Sequence, residues 1–242
     1  MSIYIDLNSD LGENVGDDEM MLTIISSANI ACGAHAGDAY TMKKIVELAA
    51  KNGVNIGAHP GFWDRENFGR TLIKITQDEV YDLIMYQTGA LLSYCISINK
   101  QMTHIKPHGA LYNMLMIDDD IALGFARACK ALNIPAMGMP YSAVEKAAKE
   151  LQVKFIKEGF ADRAYSKEGL MSRKLEGSVL NHSDAVEQAI KMVRDKKVNL
   201  KDNWLDISIH SICVHGDSKD AVSMARSIKE AFENLNYKIG MK

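Results

Sequence analysis

The sequence predicts an α/β fold that closes into an irregular, seven-stranded parallel β/α barrel. Short apolar runs bounded by turn residues alternate with segments of helical periodicity from end to end. Strands joined through helices must run parallel, and right-handed crossovers curl such units into a barrel or open sheet. The length of 242 residues fits one barrel spanning 1–242 better than two small domains, since single barrels commonly run to about 200–250 residues.

The expected strands are Ile3–Leu7, Ala28–Cys32, Val54–Gly57, Thr103–Lys106, Ala136–Met139, Val153–Lys157 and Ser208–Val214. A helix starts near Asp17. In Asp38–Asn52, Met42, Ile45, Val46 and Ala49 follow i, i+3, i+4, i+7 spacing, and Gly53 supplies a stop. Thr76-Gln-Asp-Glu79 and Ser142-Ala-Val-Glu145 each match a capping box that opens a helix. Ser183–Asp195 and Ser218–Asn234 complete the series. Two long connections, Pro60–Ile75 and Gly159–Leu180, interrupt it; loops of that length in a compact domain are usually functional.

Composition narrows the function. The formal charge is −3, from 28 basic and 31 acidic residues, with no basic block. That argues against nucleic acid and membrane as main partners. Met1 leads straight into strand-like Ile3-Tyr4-Ile5, so no signal peptide is expected. Cys32, Cys95, Cys129 and Cys213 are widely spaced without a C-x-x-C, which points to a reducing cytoplasm and away from a zinc–thiolate site. Phosphate-cradling and dinucleotide-binding glycine motifs are absent.

Four of the seven histidines close an apolar run and have glycine within two residues: His35, His59, His108 and His215. The C-terminal ends of strands are where active sites gather in alternating β/α folds. One such histidine is more often structural than catalytic; four in matching positions point to a shared site. His104 lies roughly 13 Å from His108 along a strand and reads as structural. Alternation puts Asp6, Asn8 and Asp10 on one side of the first strand. They form either a hydrogen-bonded turn or a site in which Asp10 is an acid/base or a metal ligand.

Lys106 shares a side with His108 and either steadies an oxyanion or pairs with a carboxylate. Asp38 and Asp217 have N-cap as default role, worth about 1 kcal/mol each; the alternative sets them beside the histidines. Phe62, Trp63, Phe68 and Arg70 form a lid with a cationic tip or pack on one another. Asp162 and Arg163 form a carboxylate clamp or a salt-bridged turn.

Asp6-Leu-Asn-Ser-Asp-Leu-Gly-Glu13, Ser27-Ala-Asn-Ile-Ala-Cys-Gly-Ala-His-Ala-Gly-Asp38, Gly57-Ala-His-Pro-Gly61, Lys106-Pro-His-Gly-Ala-Leu-Tyr-Asn113, Phe160-Ala-Asp-Arg-Ala-Tyr165 and Cys213-Val-His-Gly-Asp217 occur in that order. Together they resemble the LamB/YcsF family, the A subunits of bacterial ATP-hydrolysing 5-oxoprolinases. The resemblance implies a TIM-like barrel of the glycoside hydrolase/deacetylase type. It also implies hydrolysis of 5-oxo-L-proline to L-glutamate with ATP as co-substrate, in a complex with PxpB-like and PxpC-like subunits. Departures from the family's pattern are Ser9 for a common cysteine, Ala34 for an aromatic, Ser172 for proline, and His210-Ser211 for Asp-Thr.

On this reading Asp10 or His59 is the general base, Lys106 steadies charge on oxygen and His108 protonates the leaving nitrogen. Asn8, His35, Asp38, Arg70, Asp162, Arg163, His215 and Asp217 position substrate. ATP is bound with the partner subunits. The runner-up is a metal-dependent amidohydrolase or deacetylase on another small lactam or N-acetyl substrate, with a divalent metal on Asp10 and two of the histidines. A non-catalytic docking subunit is the third reading. Homo-oligomerisation is left open by the sequence.

Overall fold

The computed structural model describes residues 3–166, 169–170, 177–200, 204–216 and 220–241. The chain runs β1 (Ile3–Leu11), α1 (Asp18–Met21), β2 (Ser27–Ala31), α2 (Ala39–Asn52), β3 (Asn55–His59), α3 (Gln77–Ser97) and β4 (Met102–Ile105). It continues with α4 (Gly109–Ile117), α5 (Asp119–Leu132), β5 (Ala136–Gly138), α6 (Ala143–Glu150) and β6 (Phe155–Phe160). After the hairpin β7 (Tyr165–Ser166) and β8 (Gly169–Leu170) come α7 (His182–Arg194), the hairpin β9 (Lys197–Asn199) and β10 (Trp204–Asp206), β11 (Ser211–Cys213), α8 (Ala221–Asn234) and β12 (Tyr237–Ile239).

Seven parallel strands close the barrel in the order β1-β2-β3-β4-β5-β6-β11. Closure is made by β11 against β1, with Asp6 opposite Ser211, Leu7 opposite Ile212 and Asn8 opposite Cys213. At the entrance to β1, β12 adds a parallel partner along Ile3–Ile5. Asp38, Thr76 and Ser142 cap α2, α3 and α6 as their spacing predicts, and Thr76 forms a full capping box with Glu79. The predicted stripe Met42, Ile45, Val46 and Ala49 is the buried face of α2. Among the described residues, no helix is long and apolar enough to cross a membrane.

Two differences matter for the site. The first strand runs to Leu11 rather than Leu7, so Asp10 is inside the sheet and not in a turn. The barrel interior is also polar, whereas such barrels are usually filled with branched apolar side chains. Ile5, Leu7 and Leu11 belong to the apolar core. The alternate residues Asp6, Asn8 and Asp10 are buried with Ser27, Asn29, His104, Lys106, Glu158 and Ser211.

Burial of that many polar groups demands partners, and the column supplies them. Asp6 accepts from the hydroxyls of Ser26, Ser27 and Ser211. Asn8 Nδ2 donates to Ser211 Oγ at 2.7 Å. Asn29 Nδ2 donates to both Asn8 Oδ1 and Asp10 Oδ1 at 2.8 Å. His104 Nε2 donates to Asn29 Oδ1 at 2.6 Å, which makes it the structural residue expected of it. Gly57 makes room for this imidazole: a Cβ there would lie 2.1 Å from His104 Nε2.

Candidate active site

Above that column, Asp10 Oδ1 accepts from Lys106 Nζ at 2.8 Å as well as from Asn29. Lys106 is also 2.9 Å from Glu158 Oε1 and 3.1 Å from Cys213 Sγ. Tyr112 donates to the other Glu158 oxygen at 3.1 Å. Burial pushes the Asp10 carboxyl up, but the charges of His59 and Lys106 outweigh it and hold the group well below the carboxylate range. Burial likewise disfavours the Lys106 ammonium, yet Asp10 and its neighbours raise its pKa well above the ordinary value. Asp10 is therefore an ionised carboxylate anchored from beneath. Its Oδ2 lies 3.4 Å from His59 Nε2 and 3.9 Å from His215 Nε2.

Beside Asp10, three histidines surround Glu13. Glu13 Oε1 is 3.0 Å from His35 Nε2, 3.1 Å from His108 Nδ1 and 3.6 Å from His59 Nε2. His35 and His108 stack with ring centroids 3.8 Å apart, and Phe68 packs edge-on against both. Gly69, at φ +65°, lets its loop press on the pair; a Cβ there would lie 2.8 Å from His35 Cβ. Gln87 of α3 pins the same loop by bonding Gly61 N–H and C=O at 3.0 and 2.7 Å. Phe62, Phe68 and Gly69 of the connection from Pro60 thus pack inward, while Trp63 and Leu72 are exposed. Burial lowers the pKa of His35 to about 3 and also lowers that of His108. Burial opposes the charged form of His59 too, but the Asp10 carboxylate prevails and raises its pKa.

Opposite this group, His215 is half-buried, and its Nδ1 is 3.0 Å from Asp162 Oδ1. Its ring stacks on Phe160. Arg163 pairs with Asp162. Burial raises the Asp162 carboxyl, and the neighbouring His215 and Arg163 more than reverse this. Arg70 lies over the Phe68 ring, 5.0 Å from its centroid. Burial lowers its pKa, and the charges of Glu13, Arg163 and Asp10 also act on it. The mouth thus presents two cationic side chains, an ionised aspartate and a carboxylate-oriented histidine.

The four strand-end histidines do converge, together with Asp10, Lys106, Asp162, Arg163 and Arg70. Several expected roles change. Lys106 is only 2% exposed and lies among Asp10, Glu158 and Cys213, so it positions Asp10 instead of meeting an oxyanion. His108 has no nitrogen left for a leaving group: Nε2 donates to Phe68 O at 2.8 Å and Nδ1 faces Glu13 and His59. Asn8 is used on both sides of its amide inside the barrel, and His35 is held against Glu13, so both position other side chains. Asp38 is exposed and caps α2 through Thr41 N–H at 2.8 Å, which takes it out of the substrate set. Asp217 and Ser172 lie outside the described residues. Ser9 faces away from Asp10 and donates to Val214 O at 2.6 Å.

Glu13, Asn29, Glu158 and Tyr112 were missed as members of the site. Asn29 and Glu158 interrupt otherwise strand-like runs, a signal that could have marked them as inward polar groups. Glu13 follows Gly12, which adopts φ +73°, so strand alternation does not fix its direction.

Fold and site define a seven-stranded β/α-barrel protein with an acid–base cluster at the C-terminal mouth. The LamB/YcsF family model matches residues 5–241, and the chain belongs to that family. A relative from Campylobacter jejuni subsp. doylei, named as the A subunit of 5-oxoprolinase, is 42% identical over 97% of this chain and 96% of its own. The crystal structure of a lactam utilization protein from Thermus thermophilus superposes with a TM-score of 0.92 and 33% identity, covering 99% of this chain and 100% of that one. The catalytic domain of a peptidoglycan N-acetylglucosamine deacetylase from Eubacterium rectale shares the fold, with a TM-score of 0.53 and 10% identity over 100% of this chain and 89% of that one.

Proposed function

We propose that this chain hydrolyses the lactam of 5-oxo-L-proline to L-glutamate as the A subunit of an ATP-hydrolysing 5-oxoprolinase. It acts with PxpB-like and PxpC-like subunits, and ATP is a co-substrate bound with those partners. The observation that carries the reading is the facing pair of Asp10 and His215 at the mouth, in a chain whose near full-length relatives bear that name.

A five-membered lactam is a stabilised amide. Transfer of the γ-phosphoryl group of ATP to its carbonyl oxygen gives an activated imidate, and this step belongs to the partners. Water then adds to the carbon, and Asp10 Oδ2 takes its proton. The ring C–N bond breaks as His215 Nε2 supplies a proton to nitrogen, which leaves γ-glutamyl phosphate. A second water hydrolyses this acyl phosphate to the glutamate carboxylate and inorganic phosphate. Asp162 holds the other ring nitrogen of His215, the arrangement that orients a histidine for acid–base work. Arg70 and Arg163 hold the substrate carboxylate.

The test is glutamate release by the reconstituted complex carrying Asp10→Asn or His215→Gln. General acid–base catalysis typically contributes about 10²–10⁴-fold, and each variant is expected to lose kcat in that range. Activity within about threefold of the parent in both would refute these roles.

A further inference from the structure

His59 and His108 each have one ring nitrogen committed to a backbone carbonyl. His59 Nδ1 lies 2.7 Å from Lys106 O, and His108 Nε2 lies 2.8 Å from Phe68 O. A carbonyl only accepts, so both nitrogens carry hydrogen. In neutral imidazoles the remaining nitrogens are then bare lone pairs. These face each other, His59 Nε2 to His108 Nδ1, at 3.0 Å. Glu13 Oε1 adds a third acceptor, 3.1 Å from His108 Nδ1 and 3.6 Å from His59 Nε2. Three buried acceptors that converge on one point are stable only around positive charge.

We propose that Glu13, His59 and His108 bind a divalent transition-metal ion of the zinc type. Spacing supports an ion. Tetrahedral coordination with bonds of about 2.0–2.1 Å separates ligand atoms by about 3.3–3.4 Å, and the three observed separations, 3.0, 3.1 and 3.6 Å, bracket that value. Orientation supports it too. Metal-ligating histidines almost always donate their second N–H to a carbonyl or carboxylate, which fixes the tautomer. His59 and His108 both do so. Two imidazoles and a carboxylate, without thiolate, are donors that suit zinc better than magnesium or calcium.

The third histidine plays a different part. His35 Nε2 also approaches Glu13 Oε1, at 3.0 Å, but its Nδ1 is buried with no hydrogen-bond partner. Without an outer acceptor it lacks the second-sphere bond of a ligand, and it serves as the donor that orients Glu13. That leaves three protein ligands, with Asp10 Oδ2 3.4 Å from His59 Nε2. Zinc sites with three protein ligands are the reactive kind, because the fourth position is left to water or substrate. This differs from a metal on Asp10, whose nearer oxygen is committed to Lys106 and Asn29.

The test reads the ion directly and stands apart from lactam hydrolysis. The full-length protein is stripped with chelator, reloaded with Zn²⁺ or Co²⁺, and examined by elemental analysis and visible absorption. One ion per chain and cobalt ligand-field bands of low symmetry are expected. Glu13→Gln, His59→Gln and His108→Gln should each lose the stoichiometric ion while keeping the parent circular dichroism spectrum. His35→Gln should retain one ion with affinity weakened by about 10–100-fold. Folded parent protein that takes up no stoichiometric ion would overturn the proposal, and so would uptake that folded Glu13→Gln and His108→Gln leave unchanged. In either case the convergence would be held by a proton shared between the two imidazoles.

Discussion

Asp10 is anchored by a buried lysine, Lys106, whose Nζ lies 2.8 Å from the carboxylate Oδ1. Lys106→Met would strand Asp10 and Glu158 as buried charges, and removing one partner of a buried ion pair costs about 3–5 kcal/mol. Urea denaturation should show a loss of that order; a change below about 1 kcal/mol would contradict the pairing. Burial holds His35 and His104 neutral, each with its pKa lowered to about 3. In the unfolded chain they gain protons near pH 6.5, so the unfolded state binds more protons between about 3 and 6.5. Stability from these two residues is present above pH 6.5 and declines as pH falls toward 3. The raised pKa of His59 works the other way, with a contribution present at low pH and lost as pH rises through its folded value. Burial lowers the pKa of His108 and His210 in the same direction as that of His35 and His104. The balance of four against one in the metal-free protein therefore predicts a melting temperature that falls from pH 7 to pH 5, less steeply in His104→Gln. A flat profile in the parent would contradict it. At this scale much was legible. Period-2 alternation revealed Asp6, Asn8 and Asp10 on one face, and glycine-flanked strand ends revealed the histidines. For Lys106, pairing with a carboxylate was one of two readings left open, and the choice between them depends on Asp10, Glu158 and Cys213, which come from distant strands.

Among the elements, caps and amphipathic stripes are local and were readable: Asp38, Thr76 and Ser142 all cap the helices they precede. The hairpin β9–β10 and strand β12 were not, since runs of three residues carry no period. The early end assigned to β1 has a physical cause as well. Polar residues at alternate positions look like a turn unless the strand faces a polar interior. Within β3, Gly57 faces the His104 imidazole, and Gly57→Ala would drive a Cβ to 2.1 Å from Nε2. Overpacking of this kind costs about 1–3 kcal/mol. Thermal or chemical melting should register that loss, and parent-like stability would show that the β3–β4 contact relaxes freely.

Across the whole molecule, β11 closing on β1 brings His215, from the far end of the sequence, to face Asp10 from its beginning. Parallel β/α alternation made the barrel legible, and motifs spread along the chain made the family legible. The pairing of one strand end with another was not, because it depends on closure and register. If this mouth hydrolyses a lactam that partner subunits activate with ATP, the chain is necessary for turnover but insufficient by itself. Glutamate formation from 5-oxo-L-proline, with and without ATP, by this chain alone and mixed with its B and C partners, decides the matter. ATP-dependent glutamate release is expected only in the full mixture, with its loss in Asp10→Asn. Full release without ATP, or undiminished release from a mixture lacking this chain, would contradict that reading.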